Sequence, residues 1–316
     1  FIIFLLLIFI LIIFYLFNNI TGAPTFEPNP TFTTFINTTD IITNNTNVNL
    51  TIDWRSISCG GTTCTNITGT WYENNFSLLS LNMPFDANSS DVKDYSGLEN
   101  NGTIVNINTN VTWNTTGCKI GGCYNFNSFN SLINITNLKT LGIAQELWVR
   151  NNTDNTFKYL VNNSGQLYEN GISVNNASFR LPISNTTNSV RIGVFSNEAY
   201  FNGTIDEVRI WNKSLSSRQI LQNYNDGIAN KSIVTLTFPE TTKLRTYKAS
   251  LIIANITSLG NMTNTSEILI LNAAPSSPYL NLPANNTYIN DTTPELFINN
   301  SDDIDDDQIY FILEID

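Results

Sequence analysis

The chain has 316 residues, a formal net charge of −11 and no histidine. That length suits two or three domains, and the charge has the wrong sign for binding phosphate backbones, so no nucleic-acid partner is expected. The missing histidine excludes Ser-His-Asp and Cys-His catalysis and histidine-ligated zinc or iron. Carboxylate chemistry, oxygen-ligated metals or no chemistry at all remain.

The first element is FIIFLLLIFILIIFYLF, residues 1–17, an uncharged apolar run. It just reaches the lower edge of a membrane-spanning length. The TGA at residues 21–23 suits signal peptidase only weakly, because Pro24 follows it. Residues 1–23 therefore read as a signal peptide or membrane anchor, the chain's one expected contact with a membrane. Both readings place the remainder outside the cytoplasm, extracellular or at the cell surface. The chain opens on Phe1 and stops at Asp316 inside an apolar run, so a piece of a longer protein is expected.

Asparagine supplies 50 residues and serine plus threonine 63, and 24 Asn-x-Ser/Thr triplets occur. Random placement at those fractions would give about 10. An AT-rich coding bias would raise lysine beside asparagine, yet lysine and arginine total only 15. The excess points to glycan acceptors on an exported chain, for example Asn37, Asn49, Asn66, Asn101, Asn110, Asn134, Asn202, Asn212, Asn255 and Asn285.

Residues 24–77 alternate Thr, Ile, Phe, Val and Asn, as in NVNLTIDW, and predict short antiparallel strands. They include Cys59 and Cys64 in CGGTTC, a spacing that Cys118 and Cys123 repeat in CKIGGC. Two local disulfides are the simplest pairing, since glycine-rich intervals let the chain double back to the roughly 5.5 Å Cα separation a bridge requires. One zinc site built from all four thiolates is the rival, disfavoured by the spacing and by export into an oxidising compartment.

Residues 78–228 continue with evenly spaced strand candidates, among them LLSLNMPF, NGTIVNI, CYNF, LINI, ELWVR, SVRIGVF and TIDEVRIW. Turn signals such as YSG, ENNG and NNSG separate them. Many short strands of this kind predict an all-β sandwich or barrel. The exception is SSRQILQNYNDG, where Ser216 and Gln219 form a capping box, Ile220, Leu221 and Tyr224 share a face, and Gly227 suits the left-handed position after a helix. Residues 229–273 read as another small β module. NAAPSSP then leads into a final module, 274–316, cut off by the end of the sequence.

Three motifs in order carry a resemblance. LNMPFDANSSDVKDYSGLENNGTIVNINTNVTWNTTGCKIGGCYNF, LYENGISVNN and FNGTIDEVRIWNKSLSSRQI resemble the opening strands, a later hairpin and the closing strand and helix of the laminin G-like, concanavalin A-like jelly-roll family. The resemblance implies a jelly-roll sandwich over about 78–228. Residues 24–77 and 229–273 resemble immunoglobulin-like modules, and 274–316 resembles the first half of a fibronectin type III-like module. Such chains are similar to large surface proteins of archaea and some bacteria. Two departures stand out: FNSFNSLINI carries Asn127 and Asn130 where the family has Phe-Asp-Gly and an acidic pair, and the middle is short by a hairpin.

Asp206 and Glu207 are the first candidates for chemistry. Retaining glycosidases need two carboxylates about 5.5 Å apart in one cleft, whereas adjacent strand residues point to opposite faces. The resemblance implies instead a structural calcium on Asp206, helped by Asp86 from the opening strand, in keeping with calcium's preference for oxygen. The blander alternative is that Asp206 caps a turn while Glu207 is solvated. Asp94 is expected to accept turn amides, Trp113, Trp148 and Trp211 to fill the core, and Asp302–Asp307 to ligate calcium or form a solvated loop. The expected protein is a non-catalytic cell-surface glycoprotein that binds glycans or other cell-surface proteins, in adhesion or carbohydrate binding. A structural spacer without ligand binding is the alternative, and a glycoside hydrolase module the remote one.

Overall fold

A computed structural model describes residues 36–38, 49–52 and 308–310, together with residues 66–299 apart from short stretches, the longest being 255–261. The apolar run at 1–17, Cys59, Cys64 and Asp302–Asp307 lie outside the described residues, as do the side chains of Asn37, Asn66, Asn255 and Asn285. Among the described residues no helix is long and apolar enough to cross a membrane. The fold is all-β, with one helix among the described residues.

Two sheets make the central jelly roll. The five-stranded sheet runs Ile183–Asn185, Val190–Ile192, Leu132–Ile135, Gly102–Val105, Asp91–Val92. It follows the period-2 rule: Ile133, Ile135, Val190 and Ile192 point inward and are fully buried, while Asn134 and Arg191, paired across the ladder, point outward. The eight-stranded sheet is buried on both faces. Leu147, Val149, Leu160, Ile205, Val208 and Ile210 meet the five-stranded sheet, and Trp148, Tyr159, Val161 and Trp211 enter a second core on the other side. Each such side chain stabilises by about 1.5–3 kcal/mol on burial.

That second core also contains Leu50, Ile52, Trp71, Leu236, Tyr247, Ala249 and Leu251 from the segments flanking the jelly roll. Those segments differ from the two separate modules read from sequence. Strand Asn66–Glu73 pairs antiparallel with Thr246–Ala254 from Asn66↔Ala254 to Glu73↔Tyr247, and Leu50–Ile52 pairs with Thr235–Leu236. The flanks therefore form common sheets, and the jelly roll is inserted between their strands. The pairing has a physical cause: joined edge to edge, the flanks present apolar side chains that the eight-stranded sheet and the helix cover. Beyond them, Tyr279–Leu282 pairs with Phe297–Asn299 in a two-stranded sheet.

The helix spans Ser217–Ile228, and Ser216 accepts the amide of Gln219 at 3.1 Å as expected. The rest of the expected capping differs. Glu240 Oε1, not Gln219, takes the Ser216 amide at 2.6 Å. Gln219 is buried and bonds Asn223, Thr235 and Thr237. Gly227 stays inside the helix, because a Cβ there would lie 2.4 Å from Trp148 Cζ2; Asn230 adopts the left-handed conformation instead. Leu221 is exposed, and the buried face is largely polar.

Candidate functional site

The closing strand, Asn202–Trp211, positions the candidate carboxylates. One edge pairs with Ala144–Asn151. The other is shared: Asn202–Ile205 pair with Cys123–Asn127, and Val208–Trp211 pair with Leu79–Met83. Asp206 and Glu207 fall in the gap. Opposite them the register slips between Glu146 and Trp148, and Glu207 takes a left-handed φ of 53°, the mark of a β-bulge. The extra residue corrects the alternation expected from sequence. Ile205 and Val208 both enter the inter-sheet core, so Asp206 and Glu207 both leave it on the same side.

Asp206 is fully buried. Its Oδ2 accepts the amides of Lys119 at 2.8 Å and Ile120 at 3.0 Å. Asp86 Oδ1 accepts the amide of Gly122 at 3.1 Å, and its Oδ2 accepts Thr68 Oγ1 at 3.4 Å. The two carboxylates thus grip one turn, which the Cys118–Cys123 disulfide closes as the sequence suggested. Asp206 Oδ1 has no partner among the described residues. Burial, then the charges of Glu207 and Asp86, push the Asp206 carboxyl well above the usual carboxylate range. As a test of the implied calcium, this donor set fits in kind: one bare oxygen and two carboxylates. It falls short in number, since calcium takes six to eight oxygens and no group of three or more potential ligands gathers among the described residues.

Glu207 is buried, not solvated. Arg209 Nη2 donates to Glu207 Oε2 and, at 2.6 Å, to Ser232 Oγ, while Arg209 Nη1 donates to Glu146 Oε1 at 3.1 Å. Glu146 Oε2 also accepts the Tyr159 hydroxyl and Asn223 Nδ2. Burial holds the Tyr159 hydroxyl proton well above its ordinary range, with Glu146 adding to it. Every member of this network is closed to solvent beneath the helix, so it ties helix, sheet and flank together and cannot meet a substrate. Sequence reasoning missed Glu146, Arg209, Asn223 and Ser232. The available signal was charge inside strand motifs, in ELWVR and DEVRIW.

Other expectations are met elsewhere in the fold. Asp94 accepts the amides of Asn82, Ser96 and Asn100 at 2.8–2.9 Å. Trp148 and Trp211 are buried, and Trp113 is half-buried against the inter-sheet core.

The open site lies elsewhere. Beside the inter-sheet core, at the end of the Ala144–Asn151 strand, a cleft of about 540 Å³ opens. Val149 and Leu160 floor it from the eight-stranded sheet, and Phe195 and Phe201 wall it from the hairpin that leads into the closing strand. Those two rings stand 6.2 Å apart at 71°. Phe179 adds a third ring, and Asn151, Asp154, Lys158 and Arg180 give a polar rim. Arg180 Nη1 donates to Ser196 Oγ at 3.3 Å. Asp154 is the one carboxylate of the lining, and its bonds from the Thr156 hydroxyl and amide hold it below the usual range. No motif announced this cleft, because folding assembles it from residues spread over 149–201.

Residues 153–221 match the family model of the concanavalin A-like lectin/glucanases superfamily, Laminin_G_3, and carry ten of the twelve lining residues of the cleft. Comparison with curated proteins returns no match. Among solved structures, the chain is similar to domain 4 of AbnA, a GH43 extracellular arabinanase from Geobacillus stearothermophilus, in complex with arabinotriose. The identity is 19%, the TM-score 0.36, and the match covers 46% of this chain and 97% of that one. The class the fold defines is the all-β jelly-roll sandwich.

Proposed function

We propose that the chain is a non-catalytic carbohydrate-binding module of an exported, cell-surface adhesion glycoprotein, and that its site is the cleft walled by Phe179, Phe195 and Phe201. The carrying observation is the lining: three phenylalanine rings beside amide, guanidinium, ammonium and carboxylate groups. Sugar rings present apolar C–H faces and dense hydroxyls, and this combination meets both; the volume falls within the range of small-ligand sites. The match of 153–221 to a lectin/glucanase family model points the same way. Catalysis is disfavoured because hydrolysis needs two carboxylates, one held high as an acid. Asp154 stands alone there, and its carboxyl is held low.

The test is a glycan array followed by titration of Arg180→Ala and Phe179→Leu. Binding of at least one oligosaccharide class that both variants lose supports the reading; no binding anywhere on the array sinks it. The spacer reading is favoured by the core that the flanks share with the jelly roll, which suits a rigid rod. A structural calcium held by Asp206 and Asp86 belongs to either reading, supported by the bare Asp206 Oδ1.

A further inference from the structure

Sites of sugar attachment are as informative as sites of sugar binding. Among the described residues no sequon asparagine is buried, whereas the three buried asparagines, Asn82, Asn100 and Asn223, all lie outside sequons. The sequons differ in their third residue. Thr204, of the Asn202 sequon, is buried with its hydroxyl on Arg150, and Ser232, of the Asn230 sequon, is locked in the Glu207 network. Asn151-Asn152-Thr153 is different: Asn151, the last residue of strand Ala144–Asn151, and Thr153, on the connection after it, are both exposed and both line the cleft.

We propose that Asn151 is a glycan acceptor and that the sugar attached there occupies the cleft, so that the chain's own glycan gates its binding site. The proposal rests on the sugar-binding reading of that cleft. A glycan rooted on the lip reaches Phe179 and Phe195 at high effective concentration, since a short tether makes the second contact intramolecular. A free oligosaccharide must then compete with a covalently held one. In the attachment, Asn151 Nδ2 attacks the anomeric carbon of a glycosyl donor activated as a phosphate or pyrophosphate ester. The N–C1 bond forms, the C1–O bond breaks with its electron pair leaving on the phosphate oxygen, and the amide proton passes to a base of the transferase.

The full 316-residue chain is produced in an N-glycosylating host and in a non-glycosylating one, as wild type, Thr153→Ser and Thr153→Ala. Peptide mapping reads Asn151 occupancy, titration reads oligosaccharide affinity, and hydrogen exchange reads the 193–201 hairpin. With Asn151 fully modified and its glycan seated in the cleft about nine-tenths of the time, wild type and Thr153→Ser from the glycosylating host should bind about 10-fold more weakly than their unmodified forms, and their hairpins should exchange more slowly. Thr153→Ala, lacking the acceptor motif, should show no difference between hosts. A bare Asn151 beside sugar on Asn101 and Asn212 overturns the proposal, as does an occupied Asn151 with equal hairpin exchange and affinity in the two hosts. Failure of the sugar-binding reading shows separately, as unmodified wild type that binds no oligosaccharide.

Discussion

Two regions of the jelly roll contain its chemistry in opposite proportions. The junction beneath the helix gathers Glu146, Asp206, Glu207 and Arg209, all fully or almost fully buried. The cleft at the other end holds a single carboxylate, Asp154, in an open setting. Carboxylate density alone would rank the junction as the active site, and accessibility reverses that ranking. A buried ion cluster perturbs titration as strongly as a catalytic one does. What separates the two is a route for substrate, and the junction has none.

The largest expected effect comes from unbalancing the junction. Arg209→Met leaves Glu146 and Glu207 buried without their cation and should cost about 3–5 kcal/mol in denaturant unfolding. A loss under 1 kcal/mol would break the contrast between the regions. Gly227→Ala drives a methyl into Trp148 and should cost about 1–3 kcal/mol. Asp206→Asn sharpens the contrast through pH. The folded state holds the Asp206 proton more tightly than the unfolded one, so its contribution is full below the ordinary carboxylate pKa of about 4 and is lost as pH rises toward the folded value. Asp206→Asn should flatten that decline. With calcium in the site, chelator should lower the wild-type unfolding midpoint and leave the variant unmoved. The smallest stability change is expected at the cleft: Arg180→Ala should stay within about 0.5 kcal/mol while losing oligosaccharide binding.

The two regions were also unequally legible in the sequence. The closing strand was visible because DEVRIW alternates and a capped helix follows it; the bulge was not, because one residue's left-handed φ leaves no periodic trace. The Asp86–Asp206 proximity came through family resemblance, and the Asp94 turn through local Asp-x-Ser-Gly chemistry. The cleft stayed hidden, since Val149, Phe179 and Phe195 are distant in sequence and meet only in the folded chain. The flanks misled for the same reason: the 66–73 and 246–254 strands each look like part of a small module, and their ladder spans some 180 positions that no local pattern can register.

That ladder sets how the molecule bears load. Asn66 and Ala254 sit side by side at one end of it, and the jelly roll is looped out from the other end, beyond Glu73 and Tyr247. Tension applied at the two ends of the chain meets the Leu50–Ile52 pairing with Thr235–Leu236 and the Asn66–Ala254 end of the ladder. It must peel the paired strands apart one hydrogen bond after another before it reaches the inserted domain. The cleft lies in the inserted segment, outside both of these ladders.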